Sequence, residues 1–135
     1  MGESPPTVDD LLERARARLR RVTAAEAFEE QRRAGAVLVD TRTYEQRRER
    51  GVIPDALVID RTVFEWRLDP TSPSHVPEVQ DHHARIIVVC REGYSSSLAA
   101  ASLQDMGLRQ ATDVIGGFDA WEAAGLPVEP FVDES

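Results

Sequence analysis

The 135-residue chain holds 24 acidic residues against 16 basic ones, all arginine, giving a formal net charge of −8, and 41% of it is hydrophobic. That mixture supports a buried core rather than disorder, in a chain as long as one domain, about 100 to 150 residues. The acidic balance argues against nucleic acid and anionic membranes as partners, and the lack of any apolar run near the roughly 20 residues of a membrane span or of a secretory leader leads us to expect a cytoplasmic protein.

Residues 1–6 (MGESPP) read as a frayed tail. Thr7, followed by Asp9 and Asp10, then marks a helix start with a capping hydroxyl and acids near the positive dipole end. Leu11, Leu12, Ala15, Leu19 and Val22 recur at helical spacing, and Arg14, Arg16, Arg18, Arg20 and Arg21 are assigned to a solvated face. A second helix opens at the T-A-A-E box of Thr23 and Glu26 and should close near Gly35.

AVLVD (Ala36 to Asp40) is a short branched apolar run and predicts a buried strand. TRTYEQRRER predicts a helix broken by Gly51 and Pro54, and ALVID (Ala56 to Asp60) a second strand. The long segment from Arg61 to His83 predicts one helical turn around Phe64 to Arg67, with Trp66 assigned to core packing. IIVVC is a third strand, Ser96 to Met106 a helix, TDVI (Thr112 to Ile115) a fourth strand, and Phe118 to Ala124 a last helix after Gly116 and Gly117. Strands alternating with helices predict a parallel sheet covered on both faces, with ligands beyond the carboxyl ends of the strands.

Cys90, the lone cysteine, lies at such an end. It cannot form an internal disulfide, so it is either core filler or a nucleophile. A glycine-containing loop opening a helix leaves backbone N–H groups unpaired, which makes a site for an anion, and a thiolate is itself one. His75, His82 and His83 lie at no recognised ligand spacing, so no metal is predicted, and no cofactor motif is present.

AVLVDTR, GVIPDALVI, IIVVCREGYSSSLAAASLQDMG and DVIGGFDAWEAAGLPV, with the ending Gly116, Gly117, Phe118, Trp121, Gly125 and Pro127, resemble the rhodanese homology domain from about Val22 to Val128. The resemblance implies an N-terminal tail and amphipathic helix at 1–21, the domain at 22–130 and a tail at 131–135. It also implies an α/β fold with a five-stranded parallel sheet, Val22 and Thr23 supplying the first strand. The function it implies is a sulfurtransferase, in which Cys90 takes sulfane sulfur as a persulfide from a small donor and passes it to a thiol or cyanide acceptor, or to a protein.

The family's six-residue loop maps onto Cys90, Arg91, Glu92, Gly93, Tyr94 and Ser95, with Ser96 following. Thiosulfate-using members usually carry arginine at the sixth position, here Ser95, so Arg91, Arg61 or Arg67 would have to supply the cation. Asp40 and Arg42 match the family's D-x-R pair, which braces the loop framework, while Tyr94 walls the pocket or covers the helix start. Glu92 should repel an anionic donor unless it points outward or pairs with Arg91. Phosphatases on this fold use a loop one residue longer that closes on arginine, a position held here by Ser96, so phosphatase activity is not expected. The missing arginine and Glu92 leave one alternative, a non-catalytic module binding a partner or small anion.

Overall fold

The computed structural model describes residues 4–133, so residues 1–3 of the expected N-terminal tail and residues 134 and 135 of the C-terminal one lie outside the described residues. Helices α1 (Val8–Ala17), α2 (Ala24–Arg33) and α3 (Tyr44–Arg50) each begin on a reciprocal capping box, Thr7 with Asp10, Thr23 with Glu26 and Thr43 with Gln46. In each, the threonine hydroxyl and the carboxyl or amide three residues on satisfy two backbone donors that a helix start leaves unpaired. The first two boxes carry α1 and α2 where the sequence places them, but α1 stops at Ala17, before Leu19 and Val22.

Strands β1 (Val37–Asp40), β2 (Leu57–Val58), β3 (Ile86–Val89) and β4 (Thr112–Asp113) form one sheet in the order β2-β1-β3-β4, every pair parallel. Alternation along the strands feeds two cores. Val39, Ile86 and Val88 pack with Phe64 and Leu68 of α4 (Phe64–Leu68) and with Ala99, Ala100 and Leu103 of α5 (Ser95–Asp105). Leu38, Ile87 and Val89 pack on the other face with Ala24 and Ala27 of α2 and with Phe118 and Trp121 of α6 (Gly117–Ala123). α1 lies against α5. The two-sided apolar strands of a parallel sheet are thus covered by helices on both faces.

Two expectations need correcting. The sheet has four strands among the described residues, because Val22 makes only a single parallel bridge to Val114. Its N–H donates to the Asp113 carbonyl at 3.1 Å, and its carbonyl accepts from the Ile115 N–H at 2.8 Å. Thr23 is already the N-cap of α2 and Arg21 turns its side chain onto Asp113, so the chain stays extended for one residue only. Trp66 is 62% exposed rather than in the core. A 3-10 turn over Arg61–Val63 leads into α4, a little over one turn long, where Phe64 and Leu68 point inward four residues apart and leave Trp66 on the opposite side. Trp121 is fully buried, edge-on to Phe28, with its indole N–H donating to the Pro127 carbonyl at 2.8 Å.

Candidate active site

Cys90 follows β3 directly, 6% exposed, where the chain leaves the sheet. Its neighbour across the sheet is the end of β1, and the Thr41 N–H donating to the Val89 carbonyl at 2.9 Å carries the β1–α3 connection to the same place. The result is a cavity of about 300 Å³ lined by Cys90, Arg91, Glu92, Tyr94 and Ser95 on one side and by Thr41, Arg42, Thr43 and Gln46 on the other.

The sulfur is held by backbone. The Gly93 N–H lies 3.1 Å from Sγ and the Ser96 N–H 3.4 Å from it, the second from the first turn of α5. The Ser96 N–H is one of the donors that a helix start leaves free, and the Gly93 N–H comes from the loop just before the N-cap Tyr94. From behind, α6 ties the loop down: its Phe118 N–H donates to the Cys90 carbonyl at 2.8 Å and the Asp119 N–H to the Arg91 carbonyl at 3.0 Å. This approach requires glycine. A Cβ on Gly117 would lie 2.4 Å from the Cys90 carbonyl oxygen, and one on Gly93 would lie 2.8 Å from the Gly116 nitrogen.

Asp40 and Arg42 form a buried pair, Arg42 Nη2 to Asp40 Oδ2 at 2.8 Å. Arg42 also donates to the Gly51 carbonyl at 2.8 Å and stacks over the Phe118 ring at 3.7 Å, so it links the ends of β1 and α3 to the helix that latches the loop. Its Nη1 is buried with no partner among the described residues.

Ser96 does not face the cavity. Its hydroxyl donates to Asp113 Oδ2 at 2.7 Å, as does that of Ser97, and Asp113 is fully buried. Gly93 supplies a sulfur donor rather than cavity wall. Tyr94 lines the cavity at 58% exposure, and Arg91 and Glu92 are both exposed at its rim with no ion pair between them. Arg61 and Arg67 are outside it: Arg61 pairs with Glu65 at 2.8 Å and covers the Phe64 ring, and Arg67 donates to the Ser74 carbonyl at 2.8 Å. Both partners lie within the long segment itself, and neither arginine is among the residues that line the Cys90 cavity.

Several residues escaped the sequence reading. Thr41, Thr43 and Gln46 line the cavity although nothing in their spacing announces it. Asp113 carried a signal, a carboxylate inside an otherwise buried strand, which must be paired to be stable. Arg21 is its partner at 2.8 Å, so two of the five arginines assigned to solvent, Arg16 and Arg21, are instead bonded to the Cys90 loop or its supports.

Residues 23–124 match the model of the Rhodanese-like domain. The chain is 31% identical over 108 residues to the thiosulfate sulfurtransferase GlpE of Actinobacillus succinogenes, covering 80% of this chain and 88% of that protein. A shorter match to the GlpE of Actinobacillus pleuropneumoniae, 43% identical over 49 residues, covers 36% of this chain and 45% of that one. Among solved structures, a Rhodopseudomonas palustris protein of unknown function described as a possible tyrosine phosphatase, RPA3614, superposes with a TM-score of 0.83 at 31% identity, over 96% of this chain and 99% of that one. The polysulfide-sulfur transferase of Wolinella succinogenes shares the fold, with a TM-score of 0.69 at 20% identity over 92% and 88% of the two chains. With Cys90 on the amides of a loop between β3 and α5, and with the family match running through both elements, the chain belongs to the rhodanese-like domain family.

Proposed function

We propose that the protein is a sulfurtransferase working through a persulfide on Cys90. The observation that carries this reading is the pair of amide donors on Sγ, from Gly93 and Ser96, at a cavity that the sulfur shares with polar side chains. The Cys90 thiolate attacks the outer sulfur of a donor such as thiosulfate, a new S–S bond forms, and the donor's S–S bond breaks with its electron pair leaving on sulfite. The persulfide terminus keeps the single negative charge, which the loop amides are arranged to hold. A thiolate or cyanide then attacks the outer sulfur and departs with it, which restores the Cys90 thiolate. Neither half-reaction needs an outside oxidant or reductant, and both pass through one covalent intermediate, so the kinetics are ping-pong. The thiosulfate sulfurtransferases among the relatives support the same reading.

The phosphatase description of the Rhodopseudomonas protein suggests a second reading. Phosphate transfer from a cysteine loop needs a forked guanidinium over the phosphate oxygens. Ser96 stands at that position and its hydroxyl is committed to Asp113, which favours sulfur over phosphate as the group transferred. Intact mass after treatment with thiosulfate or a low-molecular-weight persulfide tests the proposal: one added sulfur that disappears in Cys90→Ser is expected. No adduct with either donor, in folded protein, would overturn it.

A further inference from the structure

The Gly93 carbonyl is turned toward α1 and the segment after it, and two charged donors converge there. Arg16 Nη2 lies 2.7 Å away and Arg21 Nη2 3.0 Å, while the Ser97 hydroxyl nearby donates to Asp113. Arg16 Nε also donates to Ser97 Oγ at 3.1 Å, and its guanidinium stands 5.6 Å from the centre of the Tyr94 ring. Arg21 is neutralised by Asp113, which it grips at 2.8 and 3.2 Å. Arg16 has no carboxylate partner among the described residues, so one positive charge at this carbonyl is uncompensated.

No peptide bond in the described residues is cis. In the planar Gly93–Tyr94 peptide the Tyr94 N–H therefore points opposite to the Gly93 carbonyl, away from the two arginines. That N–H has no acceptor of its own among the described residues, and Tyr94 lines the Cys90 cavity. Charged donors on a carbonyl polarise its amide and make the N–H at the other end a stronger donor.

We propose that Arg16 is a positioning residue that supplies the Cys90 cradle with positive potential through the Gly93–Tyr94 peptide, doing from behind the loop what an arginine at Ser95 would do from within it, while the neutralised Arg21 helps to hold the same carbonyl in place. The inference rests on the sulfurtransferase reading only in taking Cys90 as the group the cradle serves. It would give anionic donors a site despite the serine-rich loop and the net charge of −8.

The test compares alkylation of Cys90 by neutral iodoacetamide and by anionic iodoacetate. The ratio of the two second-order rates cancels the fraction of thiolate and reports the potential at the sulfur. Arg16→Gln should lower the iodoacetate-to-iodoacetamide ratio on the order of three- to tenfold, the effect of one unit charge lost at the far side of a peptide. Arg16→Lys should retain most of it, and Arg14→Gln, on the same helix but without contact to the loop, should leave it unchanged. Arg16→Met, which keeps an apolar stem beside Tyr94, provides a second route if the glutamine variant folds poorly. If both reagents slow together with the ratio unchanged, Arg16 is only a strut and the proposal fails. Absence of persulfide in the native protein with the ratio effect intact would overturn the functional reading and leave this one standing, and the reverse result would do the opposite.

Discussion

Replacing Gly117 with alanine should disable the Cys90 loop, and Gly125→Ala provides the control that separates backbone strain from collision. Both glycines have left-handed backbone, φ +58° and +71°. An alanine in that region costs about 1 to 2 kcal/mol. At Gly125 nothing lies within 4 Å of the new Cβ, so that cost is the whole effect. At Gly117 the Cβ would sit 2.4 Å from the Cys90 carbonyl oxygen and 2.8 Å from the Arg91 carbonyl. An ordinary C···O contact is roughly 3.3 Å, so α6 must retreat by nearly 1 Å from the loop. That retreat breaks the hydrogen bonds from Phe118 to Cys90 and from Asp119 to Arg91, about 1 kcal/mol each. The sum is about 3 to 4 kcal/mol for Gly117→Ala against about 1 to 2 for Gly125→Ala, or melting points lowered by roughly 14 °C and 6 °C at about 4 °C per kcal/mol. Thermal denaturation followed by circular dichroism, together with persulfide formation by intact mass below the melting point, measures both effects. Equal melting points, or a folded Gly117→Ala protein that loads sulfur at the native rate, would refute the idea that α6 holds the loop in register.

Three further outcomes follow from the same geometry. Ser95→Arg should improve the KM for thiosulfate about ten- to a hundredfold, since a charge-assisted hydrogen bond contributes roughly 1.5 to 3 kcal/mol, and the gain should shrink in high salt; an unchanged KM in a thiosulfate–cyanide assay would mean that the cradle does not use a cation at Ser95. Asp113→Asn should lower stability by about 3 to 5 kcal/mol in urea denaturation, because it leaves Arg21 half-buried without its counter-charge, and a loss under 1 kcal/mol would contradict the hub role of that carboxylate. The carboxyls of Asp10, Glu26, Asp60 and Asp69 are held below their ordinary values by hydrogen bonds from Thr7, Thr23, Thr62 and Thr71 respectively. Stability from these groups is complete above the unfolded carboxyl range, roughly pH 4 to 4.5, and is lost as pH falls through the lowered values, so the melting point should drop below pH 4 and less steeply in Thr23→Ala; parallel curves would remove the box at α2 from the explanation.

The order of elements was legible because each carries its own local signal. Strands such as IIVV are apolar on both sides, and two of the helices open on threonine followed three residues later by an acid. Cys90 was legible from its place between a buried strand and a glycine. What the sequence could not show was which distant groups meet there. The surplus of arginine hid the difference between Arg18, exposed and paired with Asp105 at the surface, and Arg16, two residues earlier and bonded to Gly93. Arg61 and Arg67 looked suited to the cradle because they follow the predicted strand Ala56 to Asp60 and could so reach the same face of the sheet as Cys90, yet an acid four residues on and a carbonyl seven residues on hold them where they are. Trp66 failed for a related reason: on so short a helix the inward positions were already taken by Phe64 and Leu68.

The single bridge at Val22 marks where sequence likeness and mechanical unit part company. The family match begins at Thr23, but the carbonyl of Gly93 is held by Arg16 and Arg21, both on its near side in the chain. Exchanging this domain between proteins at the border of the match would carry over the cysteine, its loop and the helix that latches it, and leave behind the two guanidiniums that hold the loop's rear. A hybrid spliced before Thr7 instead would move the loop together with its outer fastening, cap of α1 included.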